Sequence, residues 1–367
     1  MNTTGPSGNL LLFNLVTDRD DPILGFTTEW VNALARHFRK VFVITMATGA
    51  VAVAPNVEVH SVGKELGYSE FRRLLRFYRI VRQVLGKEKI DVCFVHMISI
   101  FAVLFFPFAL LRRIPVLFWY CHGATSLTLR LAHRSVTRVV TCSPEGFRLP
   151  SNKVKFIGHG INTDIFKPAA GPREDETFRV LTVGRLSPIK HCDVLIGAVR
   201  EALVAGAQNL SYTIVGGLER SDDPAYESYL KRLVSDAGLD RVITFRGPIP
   251  FPHVPDVYRE ADLVLNASAT GSVDKAVLEA MSSGCLVLTA NTAFKEVFGD
   301  LAPLLLVPEN NPQQFAAGID TLRSLSPAER AALAARLRRI VLDNHSLRGL
   351  TAKLVHELAL LSRETAA

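Results

Sequence analysis

The stretch DLVLNASATGSVDKAVLEAMSSG, Asp262 to Gly284, decides how the chain folds. An apolar run, Leu263 to Leu265, reaches a small polar turn containing Gly271 and Ser272, and a helix opens near Asp274 that carries Lys275 and Glu279. VGRLSPIK, Val183 to Lys190, repeats the arrangement: an apolar strand from Val180 ends in Gly184, and Arg185 and Lys190 flank the turn before the next helix. Both are strand-to-helix junctions, and in parallel α/β sheets the carboxyl ends of strands open toward ligands.

Working outward, the same alternation fills the chain. NLLLFNLV, VFVIT, VEVHSV, DVCFVH, VLFWYCH, RVVTCS and KVKFIG read as strands in the first half, with helices near WVNALARHF, Glu70 to Leu85 and Ser99 to Leu111. The segment Lys167 to Thr177, rich in Pro, Gly and charge, is the linker candidate. The pattern then restarts with FRVLTVG, LSYTIVGG, VITFRG, LVLNAS, CLVLTA and APLLLV as strands between helices, and turns helical from Asn311. Ser326 and Pro327 form an N-cap and N1 pair. Repeated strand-helix alternation predicts parallel sheets covered on both faces. A chain of 367 residues is long enough for two such domains, expected at 1–168 and 169–345, with 346–367 a terminal helix. Neither half contains G-x-G-x-x-G, which argues against a dinucleotide-dependent dehydrogenase.

Charge is unevenly spread. Lys and Arg exceed Asp and Glu by ten through residue 170 and fall short by three beyond it. A basic first half suits an anionic surface, and no nucleic-acid-binding motif accompanies it. FRRLLRFYRIVR, Phe71 to Arg82, places Arg72, Arg76 and Arg79 on one face of a helix, with Leu74, Leu75, Tyr78 and Val81 on the other, the pattern of a helix lying on anionic membrane. The apolar run Ile98 to Leu111 is shorter than the roughly 18 to 20 residues of a membrane span and reads as a buried helix. The N-terminus lacks a signal-peptide pattern, so the chain is expected in the cytosol, with contact at the inner face of the membrane. Five widely spaced cysteines without C-x-x-C are expected to be buried free thiols.

The two junctions carry the chemistry. Breaking a sugar-to-phosphate bond leaves charge on a departing diphosphate, which needs preorganised cations and N–H donors. Arg185 and Lys190 precede a helix N-terminus, and the helix after Ser272 supplies another. Glu279 suits ribose hydroxyls. Taken singly, Arg185 and Lys190 read as solvated loop charges, and Lys275 with Glu279 as an i,i+4 pair worth about 0.3 kcal/mol. Their joint occurrence in this order favours the clamp.

These elements resemble the GT-B glycosyltransferases of the glycosyltransferase four group (glycosyl transferases group 1). VGRLSPIK is similar to that family's V-G-R-L-x-x-x-K phosphate turn, YREADLVLNAS to its Y-x-x-A-D-L-x-x-x-x-S approach, VLEAMSSGCLVL to its L-E-A-M-A-x-G-x-P-V-V element, and GHGINTDIFKP to its N-G-V-D-x-x-x-F-x-P segment. The resemblance implies two Rossmann-like domains facing a cleft, with the C-terminal helix returning to the first. It also implies a nucleoside-diphosphate sugar bound by the second domain, a glycan or lipid-linked acceptor bound by the first, retained anomeric configuration, and no metal or other cofactor. It carries Gly184, Arg185, Lys190, Gly271, Ser272, Lys275 and Glu279 over as donor-binding positions, and Gly25 as the glycine of a loop that approaches phosphates and acceptor. His122, at the end of VLFWYCH, matches a histidine that reaches the donor sugar. Where the family has two glutamates eight positions apart, the second matches Glu279 and the first falls on Gly271. Asp274 then either takes over sugar contact or is helix-start acid complementing the dipole.

The remaining candidates are weaker. His96 ends a strand and His159 belongs to the turn after KVKFIG; both are acceptor-side candidates. Asp18 to Asp20, DRD, imitates a metal-binding D-x-D but sits on the first loop and is discounted. Ser143 and Glu145 read as the cap and opening of a helix. A non-catalytic nucleotide-sugar-binding or membrane-surface scaffold and a nucleotide-sugar epimerase are the competing functions.

Overall fold

The computed structural model describes residues 8–171, 175–218, 224–268, 271–307 and 311–366. Part of the expected linker, residues 172–174, lies outside them. The chain divides into two compact units, Met1–Gly160 with Leu347–Ala367, and Ile161–Ser346. Residues 161–168 fall with the second unit because the Ile161 amide donates to the His345 carbonyl at 2.8 Å and the Phe166 ring packs against Phe251 and Tyr258.

The first unit runs β1 (Asn9–Thr17), α1 (Phe26–Ala35), β2 (Lys40–Thr48), β3 (Val57–Ser61), α2 (Glu70–Lys87), β4 (Val92–His96), α3 (Ser99–Arg112), β5 (Val116–Trp119), α4 (Leu127–Ser135), β6 (Arg138–Thr141) and β7 (Val154–Phe156). Its described strands pair in parallel in the order β3-β2-β1-β4-β5-β6-β7. The two-residue period of β1 explains how one strand serves two cores. Leu10 and Leu12 point into one layer with Trp30, Leu34 and Trp119, whereas Leu11 and Phe13 point into the other with Phe77, Phe101 and Phe105.

The second unit runs β8 (Phe178–Val183), α5 (Cys192–Val204), β9 (Leu210–Val215), α6 (Pro224–Asp236), β10 (Ile243–Gly247), α7 (Val254–Arg259), β11 (Leu263–Asn266), α8 (Lys275–Ser282), β12 (Leu286–Thr289), α9 (Phe294–Phe298), α10 (Ala302–Leu305), α11 (Pro312–Ser324) and α12 (Pro327–Asn344). Its parallel order is β10-β9-β8-β11-β12. The expected capping of α12 is present as a full capping box: the Ser326 hydroxyl accepts from the Glu329 amide, and Glu329 accepts from the Ser326 amide.

α13 (Leu347–Ala366) belongs to the first unit. Leu350, Leu354, Leu358 and Leu361 recur at helical spacing and bury themselves in the Trp30 layer. Gly160 makes room for them, since a Cβ there would lie 2.6 Å from Leu350 Cδ2. On the same helix Glu357, almost fully buried, accepts from Arg138 Nη1 at 2.7 Å and Lys155 Nζ at 2.8 Å. Burial alone would raise the Glu357 carboxyl, but the hydrogen bonds and charges of Lys155 and Arg138 hold it below its ordinary value. A depressed carboxylate contributes stability above its unfolded value near 4.5 and loses it as pH falls through the folded value. Glu357→Ala, which leaves Arg138 half-buried and short of its main partner, is expected to cost about 2 to 3 kcal/mol. Thermal melts at pH 7 and below pH 4 read this out: the variant's deficit shrinks in acid, and equal melting of both proteins at pH 7 contradicts the account.

Four expectations change. APLLLV is not a strand; Pro303 sits in the first turn of α10, where its missing N–H costs nothing, and only Leu306 bridges back to Thr289. Ser143 and Glu145 open only a three-residue 3-10 turn, Pro144–Gly146, without a side-chain cap. α3 is half-buried: Phe101 and Phe105 are interior, but Leu110 and Leu111 are 69% and 79% exposed. Among the cysteines, Cys93, Cys192 and Cys285 are buried and free, with burial pushing Cys192 up to about 12, whereas Cys121 and Cys142 form a disulfide. β5 and β6 are sheet neighbours, so residues just past their carboxyl ends lie side by side, an adjacency invisible in a separation of 21 residues.

Candidate active site

In each sheet the strand order reverses at one place, β1/β4 in the first unit and β8/β11 in the second. Ligands of open parallel sheets bind outside the carboxyl ends at such switch points. In the second unit, the β8 end delivers Gly184, Arg185 and Lys190, and the β11 end delivers Asn266 and leads to Asp274.

The strand ends of β8 and β9 approach unusually closely. The Gly184 amide donates to the Val215 carbonyl and Leu186 to Gly217, both at 2.9 Å. Gly216 has φ of +142°, and a Cβ there would lie 1.8 Å from the Gly184 carbonyl oxygen. Only glycine fits, and the turn carrying half-buried Arg185 depends on it. Pro188–Lys190 then form a 3-10 turn, and His191 takes a left-handed φ of +48° before α5 begins.

Lys190 is fixed across the switch point. Its Nζ donates to Asp274 Oδ2 at 2.6 Å, where Asn266 Nδ2 also donates at 3.1 Å, and the Ala276 amide donates to Asp274 Oδ1 at 3.3 Å. Asp274 is thus the N-cap of α8 and the anchor of Lys190 together. Burial alone would raise its carboxyl, but the Lys190 charge and these hydrogen bonds hold it below its ordinary value. The helix-start reading of Asp274 is realised by its bond from the Ala276 amide. Asn266 is itself held by Thr289, whose hydroxyl donates to Asn266 Oδ1 at 2.9 Å.

Gly271 adopts φ of +70°, the left-handed region, so a glutamate in its place would be strained. Its neighbour Ser272 is tied down by Asn291 Nδ2, which donates to the Ser272 carbonyl at 2.8 Å. One turn into α8, Glu279 is buried at 6% exposure. It accepts from Lys275 Nζ at 2.6 Å and from the Tyr258 hydroxyl at 3.4 Å, while Lys275 also lies 5.2 Å from the Phe251 ring centre. Burial and then the Glu279 charge push the Tyr258 phenol well above its usual value, so it stays a neutral donor. Sequence reasoning did not single out Gly216, Asn266, Tyr258 or Asn291; the signals available were the Tyr258 that opens YREADLVLNAS and the polar Asn266 that closes the apolar run of β11.

The first unit places its candidates separately. Gly25 is the N-cap of α1 with φ of −55°, a conformation any residue adopts. Asp18 accepts from the amides of Asp20 and Ala50, holding the loop. His96 is buried at the end of β4 among Phe26, Trp30 and Phe94. His122 is exposed beyond β5; its amide donates to the Gly146 carbonyl at 2.9 Å and its Nδ1 accepts from the Ala124 amide at 3.1 Å. His159 lies half-buried beyond β7 against Trp119. On α2, Arg72 stacks on Tyr68 at 3.6 Å and Arg79 is exposed, but Arg76 is half-buried and donates to the Ser61 carbonyl at 2.8 Å. The apolar face of α2 is Phe77, Ile80, Val81, Val84 and Leu85, leaving Leu75 exposed with the arginines. No helix among the described residues is long and apolar enough to cross a membrane.

This geometry can be set beside known proteins. Residues 177–324 match the family model described as glycosyl transferases group 1. The chain is 29% identical over 220 residues to the D-inositol 3-phosphate glycosyltransferase of Thermobispora bispora, covering 56% of this chain and 51% of that protein. It is 31% identical over 201 residues to that of Rhodococcus opacus, covering 51% and 44%. It therefore spans about half the length of the curated relatives it matches. Among solved structures it is similar to Anabaena Alr3699/HepE in complex with UDP and glucose, with TM-score 0.74, 16% identity and coverage of 95% of this chain and 98% of that one. The sucrose-phosphate synthase of Thermosynechococcus elongatus gives TM-score 0.77 at 17% identity, covering 97% and 100%. The fold is that of the GT-B class.

Proposed function

We propose that the chain is a retaining glycosyltransferase that moves a sugar from a nucleoside-diphosphate donor to a glycan or lipid-linked acceptor. The observation that carries this reading is the switch point of the second unit, where Lys190 is fixed by Asp274 beside the glycine-paired ends of β8 and β9. The match of residues 177–324 to glycosyl transferases group 1 and the fold shared with a protein bound to UDP and glucose support it.

Arg185 and Lys190 neutralise the leaving diphosphate, aided by the N-terminus of α8. Asp274 acts as a positioning residue, since it holds Lys190 and caps α8 rather than presenting free oxygens to a sugar. Glu279, steadied by Lys275 and Tyr258, accepts the ribose hydroxyls. Gly271 and Ser272 form a neutral turn beneath the phosphates. Side chains and helix N-termini meet the leaving-group charge, so no metal is assigned. Charge developing at the anomeric carbon is oxocarbenium-like, as in glycosyl chemistry generally. The first unit takes the acceptor, with His122 as its proposed contribution to the reaction.

A lipid-linked acceptor is favoured over a free glycan by the exposed Leu75 beside Arg72 and Arg79 on α2, and by the exposed Leu110 and Leu111 beside Arg112 and Arg113. Sedimentation with anionic vesicles reads this branch, and salt-insensitive absence of binding counts against it. A thermal-shift panel of nucleoside diphosphates and their sugars tests the donor assignment. Stabilisation by at least one diphosphate nucleoside, lost in Lys190→Ala, is expected; no shift across the panel contradicts it.

A further inference from the structure

Four neighbouring parallel strands of the first unit each end close to a soft donor atom: Met97 after β4, Cys121 after β5, Cys142 after β6 and His159 after β7. The sheet order makes them neighbours although 62 positions separate Met97 from His159. One ligand atom from each of Cys121, Cys142 and His159 lies within 4.8 Å of the other two. All three residues are half-buried, so an ion can reach them. Met97, with φ of +62°, turns its thioether sulfur to within 3.1 Å of the Cys121 amide.

We propose that Cys121, Cys142 and His159 form a Zn2+ site when the cysteine pair is reduced. Two thiolates and an imidazole are a zinc donor set, and such soft ligands pass over Mg2+ and Ca2+. Bonds of about 2.3 Å to sulfur and 2.0 Å to nitrogen put tetrahedral ligand atoms roughly 3.5 to 3.8 Å apart. The three ligand atoms now lie within 4.8 Å of one another with the sulfurs bonded, so on reduction the sulfurs must part to that distance, for which the 5.9 Å between the Cys121 and Cys142 Cα atoms leaves room. Three protein ligands leave the fourth position to water or to the neighbouring Met97 thioether.

Disulfide and zinc site are alternatives for the same sulfurs. An external dithiol reduces the disulfide, giving two thiols and the oxidised reductant; the ion then displaces two protons as it binds both sulfurs as thiolates. Gly146 packs against both sulfurs: a Cβ there would lie 2.7 Å from Thr141 Oγ1, 3.1 Å from Cys121 Sγ and 3.3 Å from Cys142 Sγ, and the carbonyl of this glycine accepts the His122 amide. An ion here fixes the loop that carries His122. This holds whether or not the donor reading above is right, because its test reads metal rather than turnover.

The full-length protein, reduced with a non-chelating phosphine and freed of metal, is titrated with Co2+. We expect about one Co2+ per chain with thiolate-to-cobalt charge-transfer absorption, displaced by Zn2+. Cys142→Ser and His159→Asn should each weaken binding by about tenfold or more, with circular dichroism and melting confirming that the variants fold, and the disulfide form should take up none. Absence of Co2+ uptake by the folded reduced protein overturns the proposal, as does uptake unchanged in Cys142→Ser. A reduced protein that loses its fold and does not regain it with Zn2+ shows a structural disulfide only, which also overturns it.

Discussion

Lys190→Ala is expected to lower turnover about 10²- to 10³-fold while leaving the fold intact. The position of Lys190 is specified across the switch point through Asp274, which Asn266 and the start of α8 hold in turn. Removing it takes charge from the leaving diphosphate and leaves the Asp274 carboxylate with one fewer donor. Asp274→Asn separates the two effects: it keeps the cation but loosens it, so its loss should fall between wild type and Lys190→Ala. Steady-state kinetics with melting curves measure both. Wild-type turnover in Lys190→Ala would remove the clamp from the mechanism.

Gly216→Ala is expected to have the largest effect on the site's architecture. A methyl group at Gly216 meets the Gly184 carbonyl, a backbone atom that cannot rotate away, at a φ of +142° that side-chain-bearing residues seldom adopt. Relief requires β8 and β9 to separate at their ends, which carries Arg185 out of place; a loss of about 3 kcal/mol in stability and of donor-induced thermal stabilisation follows. Gly217→Ala is the control, because the nearest atoms its Cβ would meet are those of the Pro248 ring, from 3.3 Å, and not backbone. Equal melting and donor response in Gly216→Ala and wild type would show that the close approach is dispensable.

Much of this was legible in the chain. The restart of strand-helix alternation after Lys167 to Thr177 announced two parallel α/β units, and the spacing of Gly184, Arg185, Lys190 and Glu279 announced the junctions that bear the site. What escaped reading depends on sheet order. Lys190 and Asp274 are 84 positions apart and meet because β8 and β11 are neighbours; Cys121 and Cys142 meet because β5 and β6 are. Gly216 was not singled out within LSYTIVGG, since nothing in the sequence shows that another backbone touches it. Gly25, the glycine of a loop expected to approach phosphates and acceptor, has φ of −55°, so its backbone conformation by itself does not call for glycine. The gap at Gly271 gains a physical meaning as a left-handed turn, and the carboxylate nearest to it serves Lys190.

The most direct test of the central claim is acceptor-dependent release of nucleoside diphosphate from a panel of nucleotide-sugars, with the anomeric configuration of the product read by NMR. The account predicts release that requires both donor and acceptor, one diphosphate per new glycosidic bond, and retained configuration. Donor binding without release, or an altered sugar nucleotide formed with no acceptor present, would contradict it.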